Sequence, residues 1–558
     1  MTSHAGSNRW VKLGAAAIAL SLALAACGGS SSSSNEAVDD ITDVTIKASG
    51  DPKSGGTVTF GLEAETDGFN PTTNRWAVSG YMVGNAVFDP LAAYDPAGKW
   101  QPYLAKSFTP SADYKTWTIA MRPGVTFSDG TPVNGAAVAK SLSAAAADPL
   151  VGIALRNMAS ATVDPADPLN TIVTTVDPWA SLPALLSNQV GYIVAPAQLD
   201  ASKPASSNQP IGSGPFIQKE WIPDNRWVGT KNPNYWRSDD KGNKLPYLDS
   251  VEFRPIVDPQ TRVSALISGD INMMHTSDWP TINKLQAEAG DGNLQIVADR
   301  RESEESFVMF NTSKAPVSDP RVRLGLAWCT DRNQVLTINE TPANKAADSQ
   351  FAPDSPYYVK TDFPSNDVAK GTELINAYKA ENPGDVTVVL GTTPVPANTA
   401  TTALLAQQWA RCGVTVQQKT SEQSKFVLEA ATGQFEANLW RQFGAADPDG
   451  DYQWWTGKNA TGALALNFAR LNDPQINEAL DKARATPDEA VRKDAYATLQ
   501  KRQTELVPYI WLSRTQWAIG AAKNIRSVTN VSLPDGQSAA PMVAGFGGAI
   551  RLTQTWIE

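Results

Sequence analysis

Histidine is the scarcest chemically useful residue in this sequence, and its positions limit the reactions that the chain could catalyse. The chain has two histidines, His4 and His275. A Ser-His-Asp or Cys-His mechanism needs a histidine as general base, and His4 lies in a segment that we expect to be removed. The stretch around His275, Ile-Asn-Met-Met-His-Thr-Ser-Asp, contains no nucleophile motif. We therefore expect His275 to be structural or to contact a ligand, and not to be catalytic.

Metal and cofactor motifs are equally sparse. Cys329 and Cys412 are 83 positions apart, which is not the spacing of a zinc ligand set. Gly212 and Gly214 precede a proline and lack the remaining residues of a dinucleotide loop or a P-loop. Carboxylates are plentiful, but nothing marks a glycosidase pair. The sequence predicts a protein that is not an enzyme and binds no metal or cofactor.

Composition and charge narrow the class further. A chain of 558 residues exceeds what one core usually supports, so we expect two or three subdomains. The net charge is −10, and removal of residues 1–26 takes away Arg9 and Lys12, leaving 47 − 2 = 45 basic residues against 57 acidic ones, a net of −12. No basic run stands out, which argues against nucleic acid and against polybasic membrane binding.

The N-terminus has the pattern of an export signal. Arg9 and Lys12 precede an apolar run over 13–24 that is too short for a permanent membrane span. Leu-Ala-Ala-Cys27 then resembles a bacterial lipobox, which predicts a lipoprotein signal peptide over 1–26 and acylation of Cys27. The serine-rich segment 27–50 is predicted to be a flexible tether.

The stretch 94–142 is the most informative part of the chain. Trp117, Ile119 and Met121 alternate with smaller residues, as in a strand with one buried face. Asp-Gly130 and a following proline indicate a turn, and Asn134 is a candidate N-cap for a helix. A strand, a tight turn and the start of a helix are predicted here.

As a string, "GKWQPYLAKSF…DYKTWTIAMRPGVTFSDGTPVNGAAVAKSL" resembles the signature block of the family 5 extracellular solute-binding proteins, which serve ABC importers of peptides, nickel chelates and some sugars. Pro-Ile-Gly-Ser-Gly-Pro-Phe over 210–216 and Thr-Lys-Asn-Pro-Asn-Tyr-Trp over 230–236 match two further landmarks of that family. The resemblance covers roughly residues 55 to 530. It implies an α/β, two-lobed periplasmic-binding-protein fold of class II, with an extra subdomain in lobe 1 and a hinged cleft.

The same resemblance predicts how the chain divides. The expected segments are 51–85 for lobe 1, 86–205 for the extra subdomain of lobe 1, 206–305 for lobe 1, 306–513 for lobe 2 and 514–558 for the return to lobe 1. In lobe 2, a helix over 319–331 and another over 400–412 place Cys329 and Cys412 on inward faces, and we expect a disulfide between them, with two buried thiols as the alternative. Thr486 and Glu489 form a predicted capping box.

Ligand contacts are predicted from the resemblance and from departures from it. Family members place the loop after the first strand at the cleft, which makes Arg75 and Trp76 candidates. In peptide-binding members an aspartate in lobe 2 pairs with the ligand's amino group, but alignment on Asp447 puts Gly444 there and Arg441 in place of a tryptophan. We therefore expect no preference for ordinary dipeptides, and a ligand with an acidic or planar part or a sugar ring. The lobe 2 candidates are Trp440, Arg441, Gln442, Phe443, Gly444 and Trp511.

An alternative keeps the dipeptide mode through acids on the crossing strand. Glu302 and Glu304 alternate to one side and Glu305 to the other, and a solvated acidic edge is also possible. For the cleft we expect Arg441 to face lobe 1, opposite the loop that holds Trp76.

The resulting hypothesis is a lipid-anchored solute-binding protein of an ABC importer, a monomer on the outer face of the bacterial cell membrane. Its partners are a small peptide-like or sugar-like solute and the permease and ATPase subunits. The alternatives are an envelope scaffold or regulator on the same fold and a hydrolase.

Overall fold

The structure is a computed structural model that describes residues 50–298, 304–442, 444–529, 531–540 and 547–558. The predicted signal segment, Cys27 and the tether up to residue 49 lie outside these ranges. The strands are β1 (Thr57–Leu62), β2 (Ala92–Tyr94), β3 (Trp100–Pro102), β4 (Ala105–Pro110), β5 (Thr116–Met121), β6 (Met158–Asp164), β7 (Asp167–Thr175), β8 (Phe216–Ile222), β9 (Arg226–Lys231), β10 (Ser250–Pro255), β11 (Met273–Thr276), β12 (Leu294–Ala298), β13 (Glu304–Phe310), β14 (Val386–Thr392), β15 (Val414–Thr420), β16 (Ala437–Gln442), β17 (Tyr509–Thr515), β18 (Ala518–Ala522), β19 (Ile525–Arg526) and β20 (Trp556–Ile557).

The α-helices complete the secondary structure of these ranges. They are α1 (Val78–Val87), α2 (Gly135–Ala147), α3 (Leu182–Leu185), α4 (Pro196–Asp200), α5 (Lys203–Asn208), α6 (Pro259–Ser268), α7 (Trp279–Gly290), α8 (Pro320–Cys329), α9 (Arg332–Ile338), α10 (Val368–Glu381), α11 (Pro396–Ala410), α12 (Gln423–Thr432), α13 (Tyr452–Trp455), α14 (Pro474–Arg484) and α15 (Glu489–Leu506). Among the residues that the structure describes, none of these helices has the length and apolar composition to cross a bilayer.

Lobe 1 is built on a seven-stranded sheet in the order β12-β18-β11-β1-β10-β9-β8. β1 lies at its centre and pairs in parallel with β10 and β11. Val58 and Phe60 of β1 are opposite Val251 and Phe253 of β10, and all four side chains are buried in one core. Alternate apolar positions on adjacent strands therefore supply one continuous buried face.

Lobe 2 is built on a five-stranded sheet in the order β15-β14-β16-β13-β17. Along β13, Phe307 and Met309 enter one core while Val308 and Phe310 enter the other. Because both faces are covered by helices, every residue of this part of the strand is apolar. β13 therefore contributes side chains to both cores of lobe 2.

The extra subdomain has a four-stranded antiparallel sheet in the order β4-β5-β7-β6. The predicted strand is confirmed, since Trp117, Ile119 and Met121 of β5 are buried. Asn134 caps α2 as predicted, its side chain accepting a hydrogen bond from the N–H of Ala137 at 3.0 Å.

Two chain crossings join the lobes. The first runs from the end of β12 at Ala298 to the start of β13 at Glu304, and the second from the end of β17 at Thr515 to the start of β18 at Ala518. The second crossing therefore has only two residues outside the strands. Short crossings of this kind are the usual place for hinge motion.

Two predictions about lobe 2 have different outcomes. Cys329 and Cys412 form a disulfide with Cα atoms 6.4 Å apart, as expected. Gly371 of α10 packs against it, because a Cβ there would lie 2.2 Å from the Cys329 sulfur. The capping box at Thr486 is wrong: Asp488 is the N-cap of α15, and its carboxylate accepts two backbone N–H groups. An aspartate next to the first turn outcompetes a threonine two residues earlier.

Candidate functional site

Arg441 connects lobe 2 to lobe 1 beside the crossings. It lies near the end of β16, and its Nε is 2.5 Å from Glu304 Oε1 at the start of β13. A terminal N–H donates to the Ser277 hydroxyl at 2.8 Å, and the other terminal nitrogen is 3.6 Å from Glu63 Oε1. Ser277 follows β11 and Glu63 follows β1, so both belong to lobe 1. We call Arg441, Glu304, Glu63 and Ser277 the Arg441 bridge.

Burial differs within the Arg441 bridge. Glu304 is 3% exposed, and its Oε2 accepts a hydrogen bond from Trp517 Nε1 at 2.7 Å. Burial raises the pKa of Glu304, an effect that the Arg441 charge offsets only in part. The Arg441 side chain is 39% exposed and its guanidinium lies 5.3 Å from the Trp517 ring centre. The bridge therefore has a dry carboxylate on one side and a solvent-facing cation on the other.

His275 supports the lobe 1 side of the bridge. Its Nε2 accepts the backbone N–H of Glu63 at 2.9 Å, and its Nδ1 is 3.1 Å from the carbonyl oxygen of Gly548. The accepting role of Nε2 places the proton on Nδ1, which donates to that carbonyl. Burial lowers the pKa of His275 to about 4, so the ring is neutral at pH 7. A neutral imidazole between two backbone groups orients the chain and is structural, as expected.

A second charged contact joins lobe 2 to the extra subdomain. The Asp449 carboxylate accepts hydrogen bonds from Trp179 Nε1 at 2.8 Å, Ser181 Oγ at 2.6 Å and Arg484 Nε at 2.7 Å. The side chains of Asp449 and Arg484 are 2% and 9% exposed. Burial alone would raise the pKa of Asp449, but the Arg484 charge and these hydrogen bonds hold it below its usual value. We call these four residues the Asp449 bridge.

A third polar cluster is buried in lobe 2 beside the crossing strands. Glu305 and Arg514 pair at 3.1 Å, and both are buried. Asp451 accepts the N–H of Ala445 at 3.1 Å and has no cation within 4 Å among the described residues. Burial raises the pKa of Glu305 and of Asp451 well above their usual values. Both side-chain amide atoms of buried Gln350 lack a hydrogen-bond partner in the described part of the chain.

The tryptophans predicted to contact ligand lie in or against hydrophobic cores. Trp76 is 6% exposed, its Nε1 donates to the carbonyl oxygen of Gly68 at 3.0 Å, and its ring packs on Tyr192. It therefore does not stand opposite Arg441 with a free face. Trp511 is buried against Phe307. Large aromatic area is equally useful in cores and clefts, and here the cores contain it.

The remaining candidates have mixed positions. Trp440 is half-buried and stacks on Phe426 with ring centres 5.2 Å apart. Arg75 is exposed and its Nε is 4.0 Å from Asp67. Gln442 is buried opposite Glu305 in the sheet register, and Gly444 is buried in the loop after β16. Glu302 and Phe443 lie outside the described residues.

The structure therefore brings together Glu304 and Arg441, which were predicted separately, and rejects a solvated acidic edge for Glu304 and Glu305. Sequence reasoning missed Glu63 and Ser277, which directly follow two neighbouring strands, β1 and β11. Their places after parallel strands were the available signal. No group of three or more metal-ligating side chains is arranged as a metal site in the described ranges.

Comparisons with known proteins agree on one family. Residues 99–463, more than half of the chain, match the family described as bacterial extracellular solute-binding proteins, family 5 Middle. The glutathione-binding protein GsiB of Escherichia coli is 25% identical over 460 residues, covering 79% of this chain and 86% of that protein. The nickel-binding periplasmic protein of Escherichia coli is 29% identical over 275 residues, 49% of this chain and 51% of that protein.

Solved structures give the same fold. AgaA from A.tumefacien, in complex with agropinic acid, superposes with a TM-score of 0.76 at 25% identity, covering 90% of this chain and 99% of that chain. DppA from Helicobacter pylori, in complex with the peptide STSA, superposes with a TM-score of 0.76 at 20% identity, covering 91% and 99%.

Proposed function

The chain belongs to the bacterial extracellular solute-binding proteins of family 5, and from that membership we propose that it is the substrate-binding component of an ABC importer. It captures a peptide-like or other small polar solute by closure of its two lobes and delivers it to the permease and ATPase subunits. The observation that carries this proposal is the Arg441 bridge, in which side chains from both lobes converge beside the crossings. A solute that contacts both sets of groups favours the closed form.

The N-terminal sequence supports anchoring of this monomer to the outer face of the cell membrane. Acylated Cys27 and the serine-rich tether leave the folded chain free beside the permease. Cys27→Ala should move the protein from the membrane fraction to the soluble fraction on cell fractionation. Protein that stays membrane-bound after this substitution would count against a lipid anchor.

For the ligand, we propose an amino-acid-derived solute with a carboxylate, and not an ordinary dipeptide. Gly444 supplies no amine-binding carboxylate, whereas Arg441 has a solvent-facing guanidinium with Trp440 and Gln442 beside it in sequence. The ligands in the names of GsiB and of the AgaA complex are compatible with this class. The dipeptide alternative uses Glu304 for the amino group, and Glu304 already pairs with Arg441.

The test begins with the ligand that the protein selects. Purified full-length protein is analysed by mass spectrometry for co-purifying solutes and titrated by calorimetry with glutathione and a dipeptide library. We expect an acidic solute, and at least tenfold weaker binding in Arg441→Gln. Arg254→Gln is the matched control, because Arg254 pairs with Glu252 at 2.5 Å and is 40% exposed, away from the bridge.

Other outcomes separate the alternatives. Micromolar dipeptide binding that is retained in Arg441→Gln but lost in Glu304→Gln would support the dipeptide alternative. A protein that selects no solute at all would support the scaffold or regulator. Turnover of a peptide or glycoside that depends on a cleft carboxylate would support the hydrolase.

A further inference from the structure

Lobe 2 contains a pocket of about 230 Å³ between helix α12 and one face of the sheet. Gly391 of β14 and Asn438 of β16 are register partners at its floor, and Phe426 and Glu429 of α12 form a wall. Lys314, from the loop after β13, lies at its edge. We call this the α12 pocket, and it shares no residue with the Arg441 bridge.

The pocket exists because β14 and β16 meet over a short length and one of the meeting residues is glycine. The strands pair only at Leu390↔Ala437 and Gly391↔Asn438. A Cβ on Gly391 would lie 2.2 Å from Asn438 Oδ1 and 3.2 Å from the Phe426 ring. Any other residue at 391 would therefore push Asn438 or Phe426 into the space.

Asn438 has an unused donor at this place. Its side chain is 2% exposed, and Nδ2 has no hydrogen-bond partner among the described residues. A buried N–H group without an acceptor destabilises the fold, and such groups are rare in native proteins. A bound acceptor at the pocket would satisfy it.

Two donors around the pocket are free among the described residues, and each of its carboxylates has at least one oxygen paired. Glu429 is 2.9 Å from Lys419 and 3.9 Å from Lys425, and Glu436 accepts the N–H of Val389 at 2.7 Å. The Lys314 amine has no ion pair or hydrogen bond within the part of the chain that the structure describes. An ammonium and an amide N–H at the pocket are thus without an acceptor in the described ranges.

We propose that the α12 pocket binds a small organic anion, a carboxylate on a short apolar body. The carboxylate accepts from Asn438 Nδ2 and lies near the Lys314 amine, and the body packs on Phe426 and Phe435, which also line the pocket. Phe426 stacks on Trp440, which precedes Arg441 in the sequence. The rings of Phe426 and Trp440 therefore lie between the bound anion and the Arg441 bridge. The proposal does not depend on the solute carried in the cleft.

The test compares phenylacetate with its neutral isostere phenylacetamide, using saturation-transfer NMR titrations of the full chain. We expect saturable binding of phenylacetate and at least tenfold weaker binding of the amide. Asn438→Asp keeps the size of the side chain and places a negative charge beside the carboxylate, so binding should be lost. Asn438→Leu removes the unpaired donor, so it should also lose binding while the melting temperature does not fall.

Further variants test whether the effect depends on the Lys314 charge and whether binding occurs at the α12 pocket. Lys314→Gln should weaken phenylacetate binding severalfold, and Lys106→Gln, at an exposed lysine of the extra subdomain, should leave it unchanged. Arg441→Gln should also leave it unchanged, which separates this pocket from the cleft. Equal binding of acid and amide, binding that survives Asn438→Asp, or no saturable binding would overturn the proposal.

Discussion

The Asp449 bridge and the Arg441 bridge each pair an arginine with a buried carboxylate of lobe 2 and contact a neighbouring part of the molecule, yet they differ in how many of their charged atoms have a partner. Both oxygens of Asp449 accept hydrogen bonds, and Arg484 lies between the rings of Trp179 and Tyr452 at 4.6 and 3.4 Å from their centres. In the Arg441 bridge, one terminal nitrogen of the guanidinium is 3.6 Å from its nearest carboxylate oxygen. That distance is too long for a hydrogen bond.

We infer from this difference that the Asp449 bridge is a structural contact, and that the Arg441 bridge is the better candidate for the proposed binding site. A closed and saturated ion pair leaves nothing for a solute to gain, so it holds the extra subdomain on lobe 2. A half-exposed guanidinium with one open edge can exchange a protein carboxylate for a ligand group at small cost. The two proposed roles therefore rest on the number of partners and the exposure of each bridge, and not on residue type.

The largest expected effect comes from breaking the saturated contact. Asp449→Ala leaves Arg484 buried without a counter-ion and leaves Trp179 and Ser181 without an acceptor. We expect the free energy of unfolding to fall by about 3–5 kcal/mol, measured by urea denaturation. Asp494→Asn, which removes an exposed partner of Lys482, is the control and should have no measurable effect. A loss from Asp449→Ala as small as that of the control would show that this contact is not structural.

The next effect is a pH dependence of stability that involves His275 beside the Arg441 bridge and does not involve the Asp449 bridge. His275 is neutral in the folded chain, with a pKa of about 4 against an ordinary value of 6.5. Between these values the unfolded chain binds a proton that the folded chain does not, so stability falls as pH drops from 6.5 to 4, by about 3 kcal/mol in total. Asp449 stays ionised in this window, because its lowered pKa moves its contribution below pH 3.8.

The control isolates His275 from its neighbours. Glu63, Arg262 and Arg441 face it, and Glu304 has a raised pKa whose contribution has the opposite sign, since stability there falls as pH rises above 4.5. His275→Gln keeps an acceptor and a donor for the two backbone groups. Denaturation of both proteins across pH 4–7 should show that the stability difference between the wild type and the variant changes with pH as His275 predicts, whereas the carboxylates contribute equally to both; parallel stability curves would contradict the assignment.

Local features of the fold could be predicted from the sequence because they depend on short-range rules. The alternation around Trp117, the cap at Asn134 and the helix that starts at Pro320 after Asp319 all follow from residue type and spacing. Thr486 failed because two cap residues compete there, and the spacing does not say which carries the better acceptor.

The site was less predictable because its contacts are long-range. Trp179 and Asp449 are 270 positions apart, and Glu63 and His275 are 212 apart. Periodicity cannot say whether Trp76 faces the cleft or packs in the core, since an aromatic ring suits both. The resemblance to the family pointed to the segment that contains Arg441. The residues that contact Arg441 could be identified only from the structure.

A smaller effect is the coupling free energy between Glu304 and Arg441 in the Arg441 bridge. Glu304→Gln, Arg441→Gln and the double variant form a cycle whose coupling we expect to be about 1–2 kcal/mol, reduced by the exposure of Arg441. The same cycle on Glu252 and Arg254, a pair with equal distance and similar exposure of the arginine, should give about 0–1 kcal/mol. Equal couplings would make the Arg441 bridge an ordinary surface pair.

The smallest expected effect decides the chemistry of the ligand, because its sign differs between the two binding modes. Glu304 and Ser277 occupy Nε and one terminal nitrogen of Arg441, so an acidic ligand must use the edge that faces Glu63. The Glu63 charge then repels the ligand carboxylate, and Glu63→Gln should tighten an acidic solute such as glutathione by about threefold, as expected for a partly exposed charge. A ligand that places its ammonium there instead would lose an attraction in Glu63→Gln and bind more weakly by a similar factor.

The substitution leaves the hydrogen bond from the backbone N–H of Glu63 to His275 Nε2 in place. Glu65→Gln alters a carboxylate two residues away that accepts from the backbone of Asp224, and it should change neither affinity. Calorimetry on the two variants therefore assigns acid or amine to the open edge of Arg441, and weaker binding of the acidic solute in Glu63→Gln would reject the acidic mode.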